Sequence, residues 1–599
     1  MNSIYEAFLE AVKKYPMRTA LQYKREGLRM TMSYQALNEA VTAVILALKD
    51  LNFKKGERIG ILSYNRPEWI ITDLATLAIG GIVVPIYHMP GHSLPPEYVR
   101  YILKDAGIKI LFIENPELYK NIEPVLGGLN DLEAIVLYEG LIKTPYKLVA
   151  FGNMVARPVL YSYIEPPNGD DIATIVYTSG TTGEPKGVML THTNILSNAR
   201  TAARRFHFTP DDSVISYLPL AHMFERTCGY YTVIISGGMI GFAEDITTVA
   251  RDAEEIKPTI VLAVPRVIEK VYNMVVQKIE GGSVFKKGLV LSAVKNLNEY
   301  ANLKYRKKPI PLWLKIKCSI YDKIVASKFR KIGGGRIRAI IVGGAPLNRE
   351  IAKILYIFGF NIVEGYGLTE TSPCVSCCTV EDNRLGTVGK PFEGVEVKIG
   401  ENDEILVRGP NVMKGYYNKP EETAKVIDAD GWFHTGDQGR FDEYGNLVIT
   451  GRLKELIVLS GGKKVAPVPI EAKLTSSPYI EQAILCGDKR NYITGLLVPN
   501  QKLLENFAKK KNIRGIDYPE LLKRKEIREL LKKEVEIVNE SLASYEKIKA
   551  FHLLPEGFTV ENGLLTATLK PRRNKIYERY AREIEMMYGR EKSDDVIYL

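Results

Sequence analysis

Three glycines, three threonines, a serine and a lysine fall within Tyr177-Thr178-Ser179-Gly180-Thr181-Thr182-Gly183-Glu184-Pro185-Lys186-Gly187. Glycines let backbone N–H groups approach an anion closely, hydroxyls donate further hydrogen bonds, and the lysine adds charge, so the pattern is that of a polyphosphate grip. A Walker A loop requires Gly, four residues, then Gly-Lys-Ser/Thr; counting from Gly180 or Gly183 breaks that rule, which excludes the loop of kinases and GTPases. The apolar, β-branched run Asp171-Ile172-Ala173-Thr174-Ile175-Val176 ahead of it reads as a strand, and Thr191-His192-Thr193-Asn194 behind it opens a helix. The expected order is therefore strand, loop, lysine, helix.

Five further sites have residue types able to work with such an anion. Gly343-Gly344-Ala345-Pro346 follows a strand, where backbone must lie near something flat or crowded. Gly365-Tyr366-Gly367-Leu368-Thr369-Glu370 follows Asn361-Ile362-Val363, at the carboxyl end of a strand, where open α/β sheets bind ligands. There Tyr366 can stack on a base and Glu370 can hold a Mg²⁺ bound to phosphate oxygens. Asp437, in Trp432-Phe433-His434-Thr435-Gly436-Asp437, suits chelation of ribose hydroxyls. Arg452, and Lys570 in Leu565-Thr566-Ala567-Thr568-Leu569-Lys570, are isolated cations near turns. Singly each has a plain structural explanation: Asp437 as a turn cap, Lys570 as a solvated charge.

The elements that must position these residues alternate. Strands at 58–63, 83–87, 109–113, 134–138, 213–217, 259–264 and 337–342 are separated by helices such as 69–79 and 96–106, which predicts α/β architecture with parallel sheets in two related layers. Residues 1–50 read as helix, strand, helix, with Ser33 capping the second helix. After Gly386 short strands and Gly-rich turns predict a β subdomain over about 386–450, and mixed strands and helices resume in a smaller α+β unit. We expect a large N-terminal domain, 1–450, and a small C-terminal domain, 451–599; a length of 599 residues exceeds one compact core.

The net charge of +11 is unevenly placed: between Lys286 and Arg338 fifteen Lys or Arg face only Glu299 and Asp322. This basic helical insertion, about 281–335, favours an anionic partner, and Trp313, Ile316, Ile320, Ile324 and Phe329 recur through it at near-helical spacing. The stripe suits either an anionic membrane surface or packing on the domain with the lysines in water; packing is the favoured expectation. Six cysteines, among them Cys374-Val375-Ser376-Cys377-Cys378 with no answering Cys or His pair, read as buried thiols rather than disulfides or a metal cluster. No apolar run is long enough to span a membrane and the amino terminus lacks a signal pattern, so a cytoplasmic protein is expected.

Taken together, these motifs resemble the adenylate-forming superfamily from the Asn65-Arg66-Pro67-Glu68-Trp69 region to Lys570. Tyr217-Leu218-Pro219-Leu220-Ala221-His222-Met223-Phe224-Glu225-Arg226, the Leu-Thr-Ala-Thr-Leu-Lys segment and the basic insertion are similar to its long-chain fatty acyl-CoA synthetase branch. The resemblance implies two steps: a carboxylate attacks the α-phosphate of ATP to give acyl-adenylate and pyrophosphate, then the CoA thiol displaces AMP. It implies nucleotide contacts from Thr178, Ser179, Gly180, Thr181, Thr182, Gly183 and Lys186, from Gly344, Ala345 and Pro346, from Gly365, Tyr366, Gly367 and Thr369, and from Asp437 and Arg452. Thr181 and Glu370 would serve Mg²⁺, Lys570 would bridge carboxylate and α-phosphate, and His222 would close an acyl pocket with Gly229 and Tyr230. Lys454 matches a hinge about which the small domain turns, bringing Gly461, Gly462 and Lys463 to CoA.

The chain departs from some relatives. Arg226 stands where certain bacterial synthetases have a gating Trp, and Val458 stands where luciferases have a lysine. Two other readings remain: adenylation of an aryl, bile or medium-chain acid, or transfer to a carrier-protein phosphopantetheine; and a catalytically degenerate lipid-binding scaffold, against which Glu370, Asp437, Arg452 and Lys570 speak. No nucleic acid is expected as a partner, and the oligomeric state is open.

Overall fold

The computed structural model describes residues 3–90, 92–158, 164–178, 184–280, 284–305, 308–513, 515–559, 562–566, 570–589 and 593–599. Two large sheets organise the chain up to about residue 450. The eight-stranded sheet runs Gly415–Tyr416, Lys186–Thr191, Ile172–Thr178, Ile82–Ile86, Arg58–Leu62, Ile108–Ile113, Ala134–Leu137, Lys147–Ala150. The nine-stranded sheet runs Lys390–Pro391, Cys374–Cys377, Ile362–Gly367, Ala339–Val342, Ile260–Ala263, Ser213–Ser216, Met239–Phe242, Thr19–Arg25, Leu28–Ser33. Most interior strands pair in parallel and are buried on both faces, as the unbroken apolar run Ile82–Ile86 shows, while antiparallel pairs close three of the four edges and Lys147–Ala150 closes the fourth in parallel. The helix Pro67–Ala78 is buried along nearly its whole circumference.

The single strand expected near residue 20 is a hairpin. Thr19–Arg25 and Leu28–Ser33 pair antiparallel through Glu26 and Gly27, both at positive φ, the two-residue turn whose twist matches that of the strands. Ser33 then caps the helix Tyr34–Asp50 by accepting from the Ala36 N–H. Strands Glu396–Ile399, Glu404–Arg408, Phe433–Phe441 and Leu447–Arg452 form an antiparallel sheet. Beyond it, a four-stranded sheet of Ile480–Cys486, Ile493–Pro499, Ile548–Leu553 and Val596–Tyr598 lies with the helix Lys525–Glu540 over cores drawn from residues 457–599 alone.

The basic insertion folds as helices Val284–Tyr305 and Leu312–Tyr321, the latter continuing through the wide turn Asp322–Ala326. Here the favoured expectation fails. Leu314 and Cys318 face inward at 0% and 5% exposure, whereas Trp313, Ile316, Ile320 and Ile324 are 55%, 56%, 50% and 43% exposed. The helix meets the domain along one narrow face, and the stripe lies on the other; the side chain of Phe329 is outside the described residues. Among the described residues no helix is long and apolar enough to cross a membrane. All six cysteines are buried and free, as expected.

Candidate functional site

The glycine-and-hydroxyl loop does not lead into a helix. Ile172–Thr178 and Lys186–Thr191 are antiparallel neighbours with Thr178 opposite Lys186, and the helix His192–Arg205 begins only after Thr191, in a capping box with Asn194. Lys186-Gly187-Val188-Met189-Leu190 is drawn into the sheet because Val188 and Leu190 bury there, and Gly187 lies so close to Ile175 that a Cβ would meet its methyl at 2.7 Å. Ser179, Gly180, Thr181, Thr182 and Gly183 themselves lie outside the described residues. Thr178 is half-buried at one anchor; at the other, Lys186 pairs with the Glu422 carboxylate, its Nζ 5.0 Å from the Tyr416 ring centroid. Lys186, helped by Lys425, holds the Glu422 carboxyl down at about 2.

Across from this hairpin, Ile362–Gly367 runs into the turn Thr369–Thr371. Gly367 is obligatory, since a Cβ would stand 1.8 Å from the Pro373 carbonyl oxygen. The turn presents Glu370, whose Oε1 accepts from the Tyr416 hydroxyl at 3.0 Å. Tyr366 donates its hydroxyl to Asp437 Oδ2 at 2.8 Å, and Arg452 Nε donates to Asp437 Oδ1 at 2.6 Å. Asp437 and Arg452 are cross-strand partners, so their pairing follows from sheet register. Gly365 packs under Cys377, Thr369 is half-buried in the turn, and Gly344, Ala345 and Pro346 lie exposed just past the adjacent strand Ala339–Val342, with Gly344 at φ +86°.

Lys570 joins this cluster from the C-terminal part of the chain. Its N–H donates to Thr566 Oγ1 at 3.0 Å and its carbonyl accepts from Thr566 N–H at 2.8 Å, which fixes the turn; Ala567, Thr568 and Leu569 are outside the described residues. Burial, then the neighbouring Arg452 charge, push the Lys570 ammonium below the usual lysine range, while Asp437, Glu370 and Glu455 pull it back. Burial likewise opposes the Arg452 charge, and Asp437 more than restores it. The cations Lys570 and Arg452 thus share one field with the carboxylates of Asp437, Glu370 and Glu455, suited to neutralising an anion as charge shifts on it. Among the described residues no group of three or more His, Cys, Asp or Glu forms a metal cage. Glu370 alone fits Mg²⁺, which is commonly held by one or two carboxylates together with substrate phosphates.

The apolar side begins at His222. It is half-buried, 5.3 Å from the Tyr87 ring, and its imidazole is pushed down to about 4 by desolvation and then by the Lys570 charge, so it is neutral near pH 7. The following helix, Phe224–Tyr231, is a wide π-turn, a form frequent at functional sites. Gly229 faces Leu262 and Glu225, leaving no room for a Cβ, which would meet Leu262 Cδ1 at 2.8 Å. Glu225 is 1% exposed and burial lifts its carboxyl to about 8.

Arg226, at the gating position, lies in a sealed polar network. Its guanidinium pairs with Asp73 and donates to Tyr231 Oη at 3.0 Å and Thr174 Oγ1 at 2.8 Å; the Tyr230 and Tyr231 hydroxyls donate to Asp73 Oδ2 at 3.0 and 2.9 Å. Trp69 covers the guanidinium at 5.1 Å. Tyr230, expected on the acyl pocket, spends its hydroxyl on this network instead. Sequence reasoning missed Asp73, Thr174, Glu225, Tyr416 and Glu422. A signal existed for the first: Asp73 sits in the middle of the otherwise uncharged run Trp69–Ala78, and such a residue needs a buried partner.

Lys454 is exposed in the turn Leu453–Glu455. Gly461, Gly462 and Lys463 are not brought to the Glu370–Lys570 cluster. They are exposed at the tip between Ile457–Val458 and Lys464–Val465, with Lys463 Nζ 5.7 Å from the Tyr545 ring.

Residues 8–417 match the AMP-binding enzyme family and residues 454–592 match the C-terminal domain of AMP-binding enzymes. The chain belongs to the AMP-binding enzyme family. This AMP-binding enzyme is similar to the long-chain-fatty-acid–CoA ligase FadD15 of Mycobacterium bovis, with 35% identity over 93% of this chain and 92% of that protein. It is similar to the peroxisomal long chain acyl-CoA synthetase 7 of Arabidopsis thaliana, with 31% identity over 98% of this chain and 87% of that protein. These likenesses put it on the long-chain acyl-CoA synthetase branch of the adenylate-forming superfamily. The crystal structure of the anthranilate CoA ligase AuaEII with anthranoyl-AMP shares the fold, at a TM-score of 0.75 and 20% identity over 97% of this chain and 98% of that one.

Proposed function

We propose that this AMP-binding enzyme activates a long-chain fatty acid with ATP, forming acyl-adenylate and pyrophosphate, and then transfers the acyl group to CoA, releasing AMP. The observation that supports it is the convergence of Lys570, Glu370 and the Tyr366–Asp437–Arg452 set in one field, where the Lys570 charge also acts on the half-buried, neutral His222. In this reading Asp437 and Arg452 hold ribose, Tyr366 flanks adenine with Gly344, Ala345, Pro346, Gly365, Gly367 and Thr369, and the hairpin from Thr178 to Lys186 holds the pyrophosphate that leaves. Lys570 lies between the attacking carboxylate and the α-phosphate, screening two like charges that must meet. Glu370 and Thr181 would hold Mg²⁺, which would supply further charge neutralisation to the phosphates. His222, uncharged, closes the acyl pocket beside Gly229 without trapping the carboxylate in an ion pair.

The same proposal divides the chain into 1–450 and 451–599, with Lys454 as the hinge. Because Lys570 and the 461–463 tip belong to the smaller part, a turn at Lys454 withdraws the first and presents Gly461, Gly462 and Lys463 to CoA. We place the enzyme in the cytoplasm, with peripheral contact to anionic membrane through the basic segment 286–338. The test is formation of AMP and acyl-CoA from ATP, Mg²⁺, CoA and a series of acids from octanoate to arachidate. Absence of AMP with every acid, or preference for an aryl acid over palmitate, overturns the reading.

A further inference from the structure

We propose that Glu422 is a counter-charge that holds the Lys186 ammonium until a polyphosphate takes it and recovers it as pyrophosphate leaves, so that Glu422 sets how tightly nucleotide and pyrophosphate are kept. The choice of pyrophosphate rests on the proposed function; the pairing of Lys186 does not.

Glu422 stands where it does because the backbone puts it there. Lys414 N–H donates to the Met189 carbonyl at 3.0 Å, Tyr417 N–H donates to the Gly187 carbonyl at 2.7 Å, and Gly415–Tyr416 pairs antiparallel with Val188 and Met189. The short helix Pro420–Ala424 is tied to this strand through Thr423, whose Oγ1 accepts from Tyr416 N–H at 2.9 Å and donates to the Lys419 carbonyl at 3.0 Å. Gly415 lets the helix lie so close, since a Cβ there would meet Thr423 Cγ2 at 2.8 Å. Main-chain pairing thus presents the carboxylate to Lys186, and the ion pair is not needed to hold the segment.

The two oxygens of Glu422 have different partners. Oε2 faces Lys186, while Oε1 accepts from the exposed Lys425 at 2.5 Å. When Lys186 turns away, Glu422 keeps Lys425, so the exchange strands no charge. The side chains of Lys186 and Glu422 are each 33% exposed, and a pair so open to water is weak enough to exchange. Lys186 Nζ lies 5.0 Å from the Tyr416 ring centroid, and the hydroxyl of that ring donates to Glu370 Oε1 at 3.0 Å. One aromatic side chain separates the ammonium from the carboxylate suited to Mg²⁺, so phosphate oxygens beside Glu370 compete with Glu422 for the same lysine. A polyphosphate brings several anionic oxygens against one carboxylate and wins. A grip equal on ATP and on pyrophosphate lowers KM without raising kcat, and it slows release of the product. The counter-charge loosens that grip and gives the lysine a partner at the moment of release.

Binding of Mg²⁺-pyrophosphate and of Mg²⁺-ATP to the full chain is measured by calorimetry without acid or CoA, so no turnover is required. Glu422→Gln should tighten both about two- to fivefold at low salt, a gain that high salt removes. Lys186→Gln should weaken both about tenfold or more, and adding Glu422→Gln to it should change neither, because the effect passes through the lysine. During turnover Glu422→Gln should lower KM for ATP and make pyrophosphate a stronger inhibitor of AMP formation. Unchanged or weaker binding by Glu422→Gln overturns the counter-charge, since a carboxylate that props Lys186 in its working position gives that result. An equal gain with and without Lys186 overturns it too, because plain repulsion between Glu422 and the phosphates then accounts for the effect. Failure of the wild type to bind Mg²⁺-pyrophosphate does the same. Wild-type chain that forms no AMP from any acid, while the binding series runs as expected, sinks the ligase reading and leaves the counter-charge standing.

Discussion

Arg226→Met isolates the buried network at the gating position. Both Arg226 and Asp73 have side-chain exposures of 0%, and the guanidinium also serves Tyr231 and Thr174. Removing it strands a buried carboxylate, a change that costs about 3–5 kcal/mol, and the two tyrosine hydroxyls that remain soften that loss only in part. The apolar pair Arg226→Met with Asp73→Leu removes both charges and should recover most of the loss, to within about 1.5 kcal/mol of wild type. Burial drives the Asp73 carboxyl upward, and Arg226 is the main influence drawing it back. Without Arg226 the folded value rises further above the unfolded one. The folded state then holds a proton that the unfolded state releases, so stability is full below the ordinary carboxylate range and falls as pH rises through the raised value. Equilibrium urea unfolding near pH 5 and pH 8 reads both effects: Arg226→Met should lose more at the higher pH, and the double variant should not. A single-variant loss under about 1 kcal/mol, or a double variant as unstable as the single, would refute the reasoning.

Three other outcomes are expected. Lys570→Ala should lower acid-dependent pyrophosphate exchange into ATP by at least about a hundredfold while thioester formation from supplied acyl-AMP stays near wild type; equal losses would deny the separation of roles. In the wild type the raised Glu225 carboxyl should make melting temperature decline from about pH 5 up through its value of about 8, because its stabilising contribution is present below the unfolded value and lost on ionisation. Glu225→Gln should flatten that decline, and parallel melting curves would argue against a buried protonated acid. Gly367→Ala must displace the Pro373 carbonyl, so it should cost about 2 kcal/mol or more and abolish AMP formation, measured by thermal unfolding and product chromatography; an active, stable variant would show the turn to be more yielding than drawn.

Much of the architecture was legible because period and chemistry agreed. Ile82–Ile86 and Ile108–Ile113 read as strands since short, β-branched and apolar stretches alternating with helices suit a covered parallel sheet, and the clustering of Tyr366, Glu370, Asp437, Arg452 and Lys570 followed from family likeness. The fate of Lys186 did not. Gly187 and the hydroxyls near it suggested a loop running on to the helix, whereas pairing with Ile172–Thr178, a long-range choice, made it a strand. The turn at Glu26-Gly27 was a local signal that was passed over. The outward stripe of Leu312–Ala326 was hidden for another reason: periodicity tells which residues share a side, never whether that side meets protein or surroundings. Asp73 and Arg226, 153 residues apart, could find each other only in three dimensions.

The hairpin carrying Thr178 and Lys186 has a consequence for how this enzyme can change. Both anchors are pinned by cross-strand register, and slipping that register by one residue would turn Val188 and Leu190 out of the core. An insertion or deletion in the sequence between the two anchors leaves that register, the cap at Thr191 and the helix behind it in place, so the length of this connection can vary without refolding the rest.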